Sequence, residues 1–302
     1  MRRVLAVHFA PCALFVAGVL ALVRAGSFSG GSDWAAVWPQ SPSETLGTLV
    51  TIAFCAALLG LLLQPFQVRA VRVLEGYWDR WSLTARLAGM LVRVQRRRWQ
   101  ALRRRADQPP AGEAELRVGA DAHRRLAAHP PVEVLLPTAL GNALRAGELS
   151  AGERYGLTTL TSWPRIFLQV SDRMAEVLRS TRDALDSAVN LCWAFLALTG
   201  MGVVALYDDP SAWWWCGACL VLAAVSYKGA VIVAQAYSGL MHLVYDLHRF
   251  DLLDALHYPL PEDPESEEAV FAELSDEFDG NRRRGRSYGH VSGPGRKDAT
   301  EN

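Results

Sequence analysis

The chain has 302 residues, of which 51% are hydrophobic, and its 31 basic and 31 acidic residues give a formal net charge of zero. This composition excludes collagen-like repeats, a wholly disordered chain and a disulfide-dense secreted scaffold. The charged residues are unevenly distributed, because four long stretches of the sequence are almost free of them. Those stretches decide the class of protein.

A helix that crosses the ~30 Å hydrocarbon layer of a membrane needs about 20 consecutive, mostly apolar residues. Four stretches meet this requirement: 4–23, 45–65, 188–207 and 213–237. The sequence therefore predicts an all-α protein with four transmembrane helices. In the first stretch only His8 and Pro11 are out of character. A cleavable signal peptide is the alternative for this stretch, but its apolar part is longer than such a peptide usually has.

Arginines close to the ends of the four stretches predict their orientation, because cytoplasmic loops carry an excess of Lys and Arg. The segment between the second and third stretches has arginines at both ends: Arg69, Arg72, Arg80, Arg173, Arg179 and Arg182. The loops 26–44 and 208–211 contain no Lys or Arg, although Arg24 lies at the other end of the first stretch. We therefore expect a multi-pass protein of the inner (plasma) membrane with both termini in the cytoplasm.

The helix predicted in the second stretch continues beyond the membrane into the cytoplasm. Mostly apolar residues recur at alternating intervals of three and four from Val71 to Leu102, the pattern of a coiled coil. This seam predicts one helix that runs from the second span to Gln108 and is stopped by the two prolines that follow. Helices 2–4 would together form a cytoplasmic stalk, with Ser171 as the N-cap of the third. The alternative is an amphipathic helix lying flat on the inner leaflet.

The rest of the chain divides around these helices. We expect transmembrane helices 1 and 2 in 1–65, a cytoplasmic helical domain in 66–187, transmembrane helices 3 and 4 in 188–237, a cytoplasmic helix in 238–260 and a tail in 261–302. Within 66–187 a small helical insert is predicted, with helices over 112–128 and 135–148, and with a turn at Trp163-Pro164. The tail is acidic and then basic, which predicts disorder apart from a possible short helix around Phe271.

Lys228 is the one charge well inside a predicted span, and such residues are functional candidates by default. Asn190, Gln235 and Gln64 are expected near the inner interface on three different spans, so that with Lys228 they would line a polar pocket or pore. In the alternative interpretation, Lys228 extends its ammonium group to the inner interface and lines nothing.

A second candidate is a basic patch on the predicted stalk. It contains six arginines: Arg96, Arg97, Arg98, Arg103, Arg104 and Arg105. Anionic lipid or an unidentified protein is the expected partner, and nucleic acid is not favoured because the patch lies on a helix that leaves a membrane. A merely solvated basic face is the alternative.

Two further patterns have weaker chemical meaning. His242 and Asp246 are separated by one helical turn and would share a metal-binding face, but no third ligand is evident, so we expect neither a metal nor another cofactor. Cys216 and Cys219 have the spacing of redox or metal-binding pairs, and isolated small residues are also ordinary in membrane helices. Since no nucleotide-binding or hydrolase motif is present, the sequence predicts a protein that is not an enzyme.

Four short segments carry a resemblance to other sequences: Leu-Glu-Gly-Tyr-Trp at 74–78, Leu-Pro-Thr-Ala-Leu-Gly-Asn at 136–142, Arg-Tyr-Gly-Leu at 154–157 and Tyr-Asp-Leu-His-Arg-Phe at 245–250. Together they resemble uncharacterised multi-pass membrane proteins of actinobacteria, a resemblance that implies no activity. The 29 arginines against two lysines fit a genome of high GC content. In physical terms, Thr138 is the expected N-cap of a helix.

These observations favour a membrane scaffold, sensor or assembly partner that acts through a cytoplasmic helical domain. The alternative is an oligomeric channel or transporter for an ion or small solute, with Lys228 and Asn190 in its lining. A membrane-bound metal-dependent enzyme using the histidines after residue 241 is the weaker alternative. A homo-oligomer is compatible with each of them.

Overall fold

A computed structural model describes residues 5–78, 82–109 and 112–280. These residues form helices and connecting turns, and no β-strand occurs among them. The predicted all-α class is confirmed. Arg2, Arg3, Arg80 and the basic run after Asn281 lie outside the described residues.

The helices are numbered here in chain order. They are α1 Ala10–Arg24, α2 Pro42–Leu63, α3 Gln67–Glu75, α4 Ser82–Asp107, α5 Glu113–Ala127, α6 Ala139–Glu148, α7 Thr159–Ile166, α8 Asp172–Ala205, α9 Trp214–Ala255 and α10 Pro264–Phe278. In the described part of the chain, four helical segments are long and apolar enough to cross a membrane: Val7–Arg24, Pro42–Glu75, Asp172–Ala205 and Pro210–Ala255. They overlap the four predicted spans in order, and we call them spans 1 to 4.

The predicted continuous helix from the second span to Gln108 is wrong. The helix ends at Glu75, and Gly76 adopts the left-handed conformation with a φ of 97°. Its backbone N–H and that of Tyr77 donate to carbonyls of the preceding turn, which closes the helix end. The next described helix, α4, is Ser82–Asp107. The apolar seam therefore belongs to two separate helices, and a stalk continuous with span 2 does not exist.

Glu75 is held by the segment 136–142. The Thr138 hydroxyl donates to the Glu75 carbonyl at 2.7 Å and accepts from the Gly141 N–H at 3.0 Å, so the predicted N-cap is confirmed. The Asn142 side chain bonds both the N–H and the carbonyl of Leu136, at 2.7 and 3.0 Å. Gly141 lies so close to Glu75 that an added Cβ would be 2.1 Å from the carbonyl oxygen. This clamp fixes the end of α3 against the start of α6.

The chain divides into two compact units. The first consists of 1–144 and 177–237, and so contains α1 to α5 and the apolar lengths of α8 and α9. One core cluster of this unit joins α3, α6, α8 and α9 through Val71, Leu140, Leu185, Val189 and Ala230. A second cluster lies at the opposite ends of spans 1, 3 and 4, around Leu22, Leu206 and Cys216.

Arg24, which opposed the predicted orientation, donates to Thr48 at 2.6 Å and lies 3.6 Å from Glu44.

The second unit consists of 145–176 and 238–302 as far as the chain is described. Its centre is Tyr245, which is fully buried and whose hydroxyl lies 2.8 Å from Ser162 Oγ. Trp163 stacks on the Tyr245 ring, and Phe271 and Leu274 of α10 are buried in the same unit. The predicted turn at Trp163-Pro164 is wrong, because Pro164 lies inside α7. Its missing N–H removes only one bond from a helix of eight residues.

The acidic segment after Pro261 forms α10, so the prediction of a disordered tail from residue 261 is wrong as far as Phe278, and the short helix is confirmed. Asp263 is its N-cap, Pro264 occupies the first helical position, and Ser266 completes a capping box. The Arg249 side chain donates to Glu267 at 2.7 Å, which ties α10 to α9. A capped helix with buried side chains replaces the expected disorder there.

Candidate functional site

A cavity of about 430 Å³ lies between spans 1, 2 and 3 of the first unit. Most of its lining is apolar: Pro11, Cys12 and Phe15 from span 1, Leu59, Leu63, Phe66 and Ala70 from span 2, and Trp193, Ala194 and Ala197 from span 3. Leu63, Phe66 and Ala197 are among the exposed residues. The cavity therefore reaches the outer surface of the helices.

Three polar residues also line this cavity: His8, Gln67 and Asn190. The Asn190 amide donates to the Val7 carbonyl at 3.0 Å and lies 3.4 Å from Nδ1 of His8. The Gln67 Nε2 atom is buried and has no hydrogen-bond partner among the described residues. A buried donor without a partner costs about 1–3 kcal/mol, so Gln67 Nε2 is a group that would gain from an acceptor.

The position of Asn190 is explained by Pro11. In an α-helix the N–H of residue 11 would bond the carbonyl of residue 7, but proline has no N–H to donate. Residues Leu5–Phe9 form a π-helical turn, and the Val7 carbonyl accepts from the Asn190 side chain on span 3. Neighbouring helices commonly satisfy a backbone group that proline leaves free inside a membrane. Asn190 thus joins span 1 to span 3 beside the cavity.

Of the four residues predicted to line a polar pocket, Asn190 alone lines this cavity. Asn190 lines the cavity, whereas Lys228, Gln235 and Gln64 are exposed and are not among its lining residues. Of the two polar residues that the sequence prediction omitted, His8 was visible as an unusual residue in span 1. Gln67 carried no such signal, because it follows the predicted end of span 2.

A second candidate site is the exposed face of α4. Four large apolar side chains on it recur at intervals of four, three and four residues: Leu83, Leu87, Met90 and Val94. Leu83 is 77% exposed and Met90 is 51% exposed. At 100° per residue these positions form one stripe along the helix. The opposite side carries Ala88, which is buried, so α4 is packed on one face and apolar on an exposed one.

Arginines border this apolar stripe on both sides. By helical position, Arg86, Arg93, Arg97 and Arg104 form a row along one edge, and Arg98 and Arg105 lie along the other. Arg96 and Arg103 lie farther round the helix, and Arg103 pairs with Asp107 at 3.0 Å. All six arginines of the predicted basic patch are exposed. The patch is therefore an amphipathic surface with an apolar centre rather than a purely basic one.

The helices α4 and α5 pack against each other and enclose a cleft of about 360 Å³. Arg105, Arg117 and Arg125 line it, together with Asp121. Asp121 pairs with Arg125 at 2.7 Å and with Arg124 at 3.4 Å. Residues 82–127 contain 11 arginines and four acidic residues, a net charge of +7. The whole α4–α5 pair is therefore strongly basic.

The proposed metal ligands His242 and Asp246 have other partners in the second unit. The His242 ring nitrogens lie 2.8 Å from the Ser238 carbonyl and 3.0 Å from Ser150 Oγ. Asp246 accepts from the Tyr155 hydroxyl at 2.6 Å and pairs with Arg154 at 3.3 Å. Burial, and then the bond to Asp246, raise the pKa of Tyr155 above its ordinary value. No group of three metal-binding side chains occurs among the described residues.

The cysteine pair of span 4 does not form a disulfide. Cys216 and Cys219 are free, buried thiols, as are Cys12 and Cys192 in other spans. Cys216 packs in the core cluster with Leu22 and Leu206, and Gly202 approaches its sulfur closely. These contacts show that Cys216 packs in the interface between helices.

Comparison of the chain with protein-family models, with curated proteins and with solved structures finds no match. The class of the protein therefore follows from its own features. Four apolar helices of sufficient length define a multi-pass membrane protein. The two candidate sites lie between three of its spans and on α4.

Proposed function

We propose that this membrane protein is a scaffold or assembly partner whose α4–α5 pair lies on the inner leaflet of the plasma membrane. The supporting observation is the exposed face of α4, an apolar stripe bordered by arginines. A helix of this kind inserts its apolar face into the headgroup region while its basic residues attract anionic lipid. The end of the helix at Gly76 supports the flat arrangement, because α4 is not a rigid extension of span 2.

The proposed topology rests on the arginines that flank the spans. It places 66–187 and the chain after span 4 in the cytoplasm, where the inner leaflet supplies the negative surface. The role follows from this geometry: the spans anchor the protein, α4 and α5 hold its cytoplasmic part against the lipid, and the remaining cytoplasmic helices are displayed for a protein partner. No chemical reaction is part of this proposal.

Hydrogen exchange of the full-length protein in nanodiscs tests the lipid contact. We expect slower exchange across α4 in discs containing 30% phosphatidylglycerol than in discs of phosphatidylcholine alone. Replacing Arg97 and Arg104 with glutamine should remove about 1 kcal/mol of attraction per residue, which corresponds to a roughly 30-fold decrease in the equilibrium constant for lipid contact.

The matched control replaces Arg96 and Arg103 with glutamine. This variant has the same change in net charge on the same helix, but its two positions lie away from the apolar stripe. We expect it to retain most of the protection. Equal exchange in the two kinds of disc, or equal effects of the two variants, would contradict the proposal.

A pathway for an ion or small solute is the second proposal. One observation favours it: Asn190 and His8 lie together at a cavity between three spans. It predicts flux in liposomes that contain the purified protein, and a change in that flux on Asn190→Leu. Absence of flux above that of protein-free liposomes would refute it.

A further inference from the structure

We propose that the cavity between spans 1, 2 and 3 is a binding site for one acyl chain of an inner-leaflet phospholipid. The chain would occupy the apolar part of the cavity, and its ester carbonyl would accept a hydrogen bond from the Gln67 amide. This contact is separate from the α4 face, and its placement in the inner leaflet rests on the proposed topology.

The size and lining of the cavity fit an apolar occupant. Its volume of about 430 Å³ lies in the range of small-molecule binding sites, and it is bounded by aromatic and aliphatic side chains such as Phe15, Leu59 and Trp193. The Trp193 indole N–H donates to the Ala70 carbonyl at 3.2 Å, so this ring is held in place at the cavity wall. Because this wall is fixed, it favours one bound acyl chain over lipid tails that exchange rapidly.

The polar groups are collected at one end of the spans. Gln67 follows the last residue of α2 by four positions, and His8 lies near the start of span 1. Asn190 lies near the start of 188–207, the predicted apolar stretch within span 3. Asn190 already donates to the Val7 carbonyl, whereas Gln67 Nε2 is buried without a partner among the described residues. Rotation of the Gln67 amide toward the cavity would pair it with an acceptor there. The ester carbonyls of a phospholipid lie at this depth, at the boundary of the hydrocarbon layer.

The cavity opens sideways, between the helices, toward the surrounding lipid. Leu63, Phe66 and Ala197 line the cavity and are exposed on the outside of the helices, where the acyl chains of the surrounding lipid would be. Span 2 shows how open this side is, since only 11% of its most apolar window is buried. A lipid tail can enter without crossing a polar layer, which favours an acyl chain over a water-soluble ligand.

Photo-crosslinking in nanodiscs tests the proposal. The probe is phosphatidylcholine with a diazirine on its second acyl chain, which has no net charge and so does not report on the basic face of α4. We expect crosslinks to concentrate on peptides that contain Phe15, Leu59 and Trp193. Ala197→Phe should fill the open side of the cavity and reduce these crosslinks at least tenfold. Gln67→Leu should reduce them about two- to tenfold, the range that one hydrogen bond provides.

Each variant has a control outside the cavity that introduces the same new side chain. Gln64→Leu alters an exposed glutamine one turn earlier, and Val204→Phe adds an aromatic ring to the same face of span 3 two turns later. Neither should reduce the crosslinks, and Gln67→Leu keeps the test decisive where Ala197→Phe fails to fold. Crosslinks spread evenly over the exposed faces of the spans, or unchanged in both cavity variants, would overturn the proposal in favour of an ordinary lipid annulus.

Discussion

The close approach of α6 to the end of α3 predicts that Gly141→Ala is strongly destabilising. A Cβ at this position would lie 2.1 Å from the Glu75 carbonyl oxygen and 2.8 Å from a methyl group of Leu136. Because the nearer atom is backbone, the two helices must separate before an alanine can fit. That separation also lengthens the 2.7 Å bond from Thr138 to the same carbonyl.

The size of the effect follows from three contributions. Overpacking of this kind costs about 1–3 kcal/mol. Loss of the Thr138 bond adds about 0.5–1.5 kcal/mol. The higher helix propensity of alanine returns up to about 1 kcal/mol. The midpoints of these ranges give a decrease of about 2–3 kcal/mol in the free energy of unfolding of Gly141→Ala, which should lower the Tm by roughly 5 °C or more.

The assay is thermal unfolding of detergent-purified protein at one fixed scan rate. Gly200→Ala is the matched control, because Gly200 also lies inside a helix but a Cβ there would meet nothing within 4 Å. It should leave the Tm unchanged or raise it. Thr138→Ala and Gly141→Ala should be non-additive in the double variant, since both act on the Glu75 carbonyl. Equal Tm values for Gly141→Ala and Gly200→Ala would refute this reasoning.

Three further predictions concern other parts of the chain. The hydrogen bond from the Ser266 N–H lowers the pKa of Asp263 from its ordinary value of 3.8. The stabilisation of α10 by this N-cap is therefore present above pH 3.8 and is lost as the pH falls through the lowered pKa. Hydrogen exchange of α10 should be faster in Asp263→Ala than in the parent protein at pH 6, and this difference should disappear in acid. Arg249→Met should lose the bond to Glu267, worth about 1–3 kcal/mol between two mostly buried side chains, and protease cleavage at α10 should accelerate. Asn190→Leu should cost about 0.6–1.7 kcal/mol by removing the bond to span 1, seen as a lower Tm in detergent; an unchanged Tm would show that the span 1 carbonyl has another donor.

The four spans could be predicted because length and apolar composition are local properties of the sequence. The end of α3 could not be predicted in the same way. The seam of apolar residues continues through Gly76, so its period indicated one helix, whereas the positive φ of Gly76 and its packing against Pro137 are decided by residues 61 positions away. A glycine inside a helical pattern is compatible with either outcome until its partner is known.

The polar residues that line the cavity could also be predicted only in part. Asn190 was predicted to line a pocket, but the choice between Gln64 and Gln67 depends on the phase of the helix after Pro65. Residues Gln64–Phe66 form a 3₁₀ turn, in which each residue advances by about 120° instead of 100°. This change of phase cannot be recognised from the sequence alone. The prediction therefore named Gln64, which is exposed, and omitted Gln67, which lines the cavity.

The helix α10 is a different case, because its signals were present in the sequence. Asp263, Pro264 and Ser266 are an N-cap, a first-turn proline and the third position of a capping box. The acidic composition of the segment outweighed them in the prediction of disorder. Its buried face, with Phe271 and Leu274, shows that a short apolar stripe is sufficient when another helix is available to cover it.

The proline in span 1 has a consequence for the synthesis of the protein. The Val7 carbonyl receives its hydrogen bond from Asn190, a residue that the ribosome adds 183 positions later. At about 5–20 residues per second, span 1 is present for roughly 10–40 s before this donor exists. The first helix therefore enters the bilayer before the Asn190 amide is available to the Val7 carbonyl, and the arrival of span 3 supplies this bond. Assembly of the membrane bundle is in this respect directional, with the third helix locking the first.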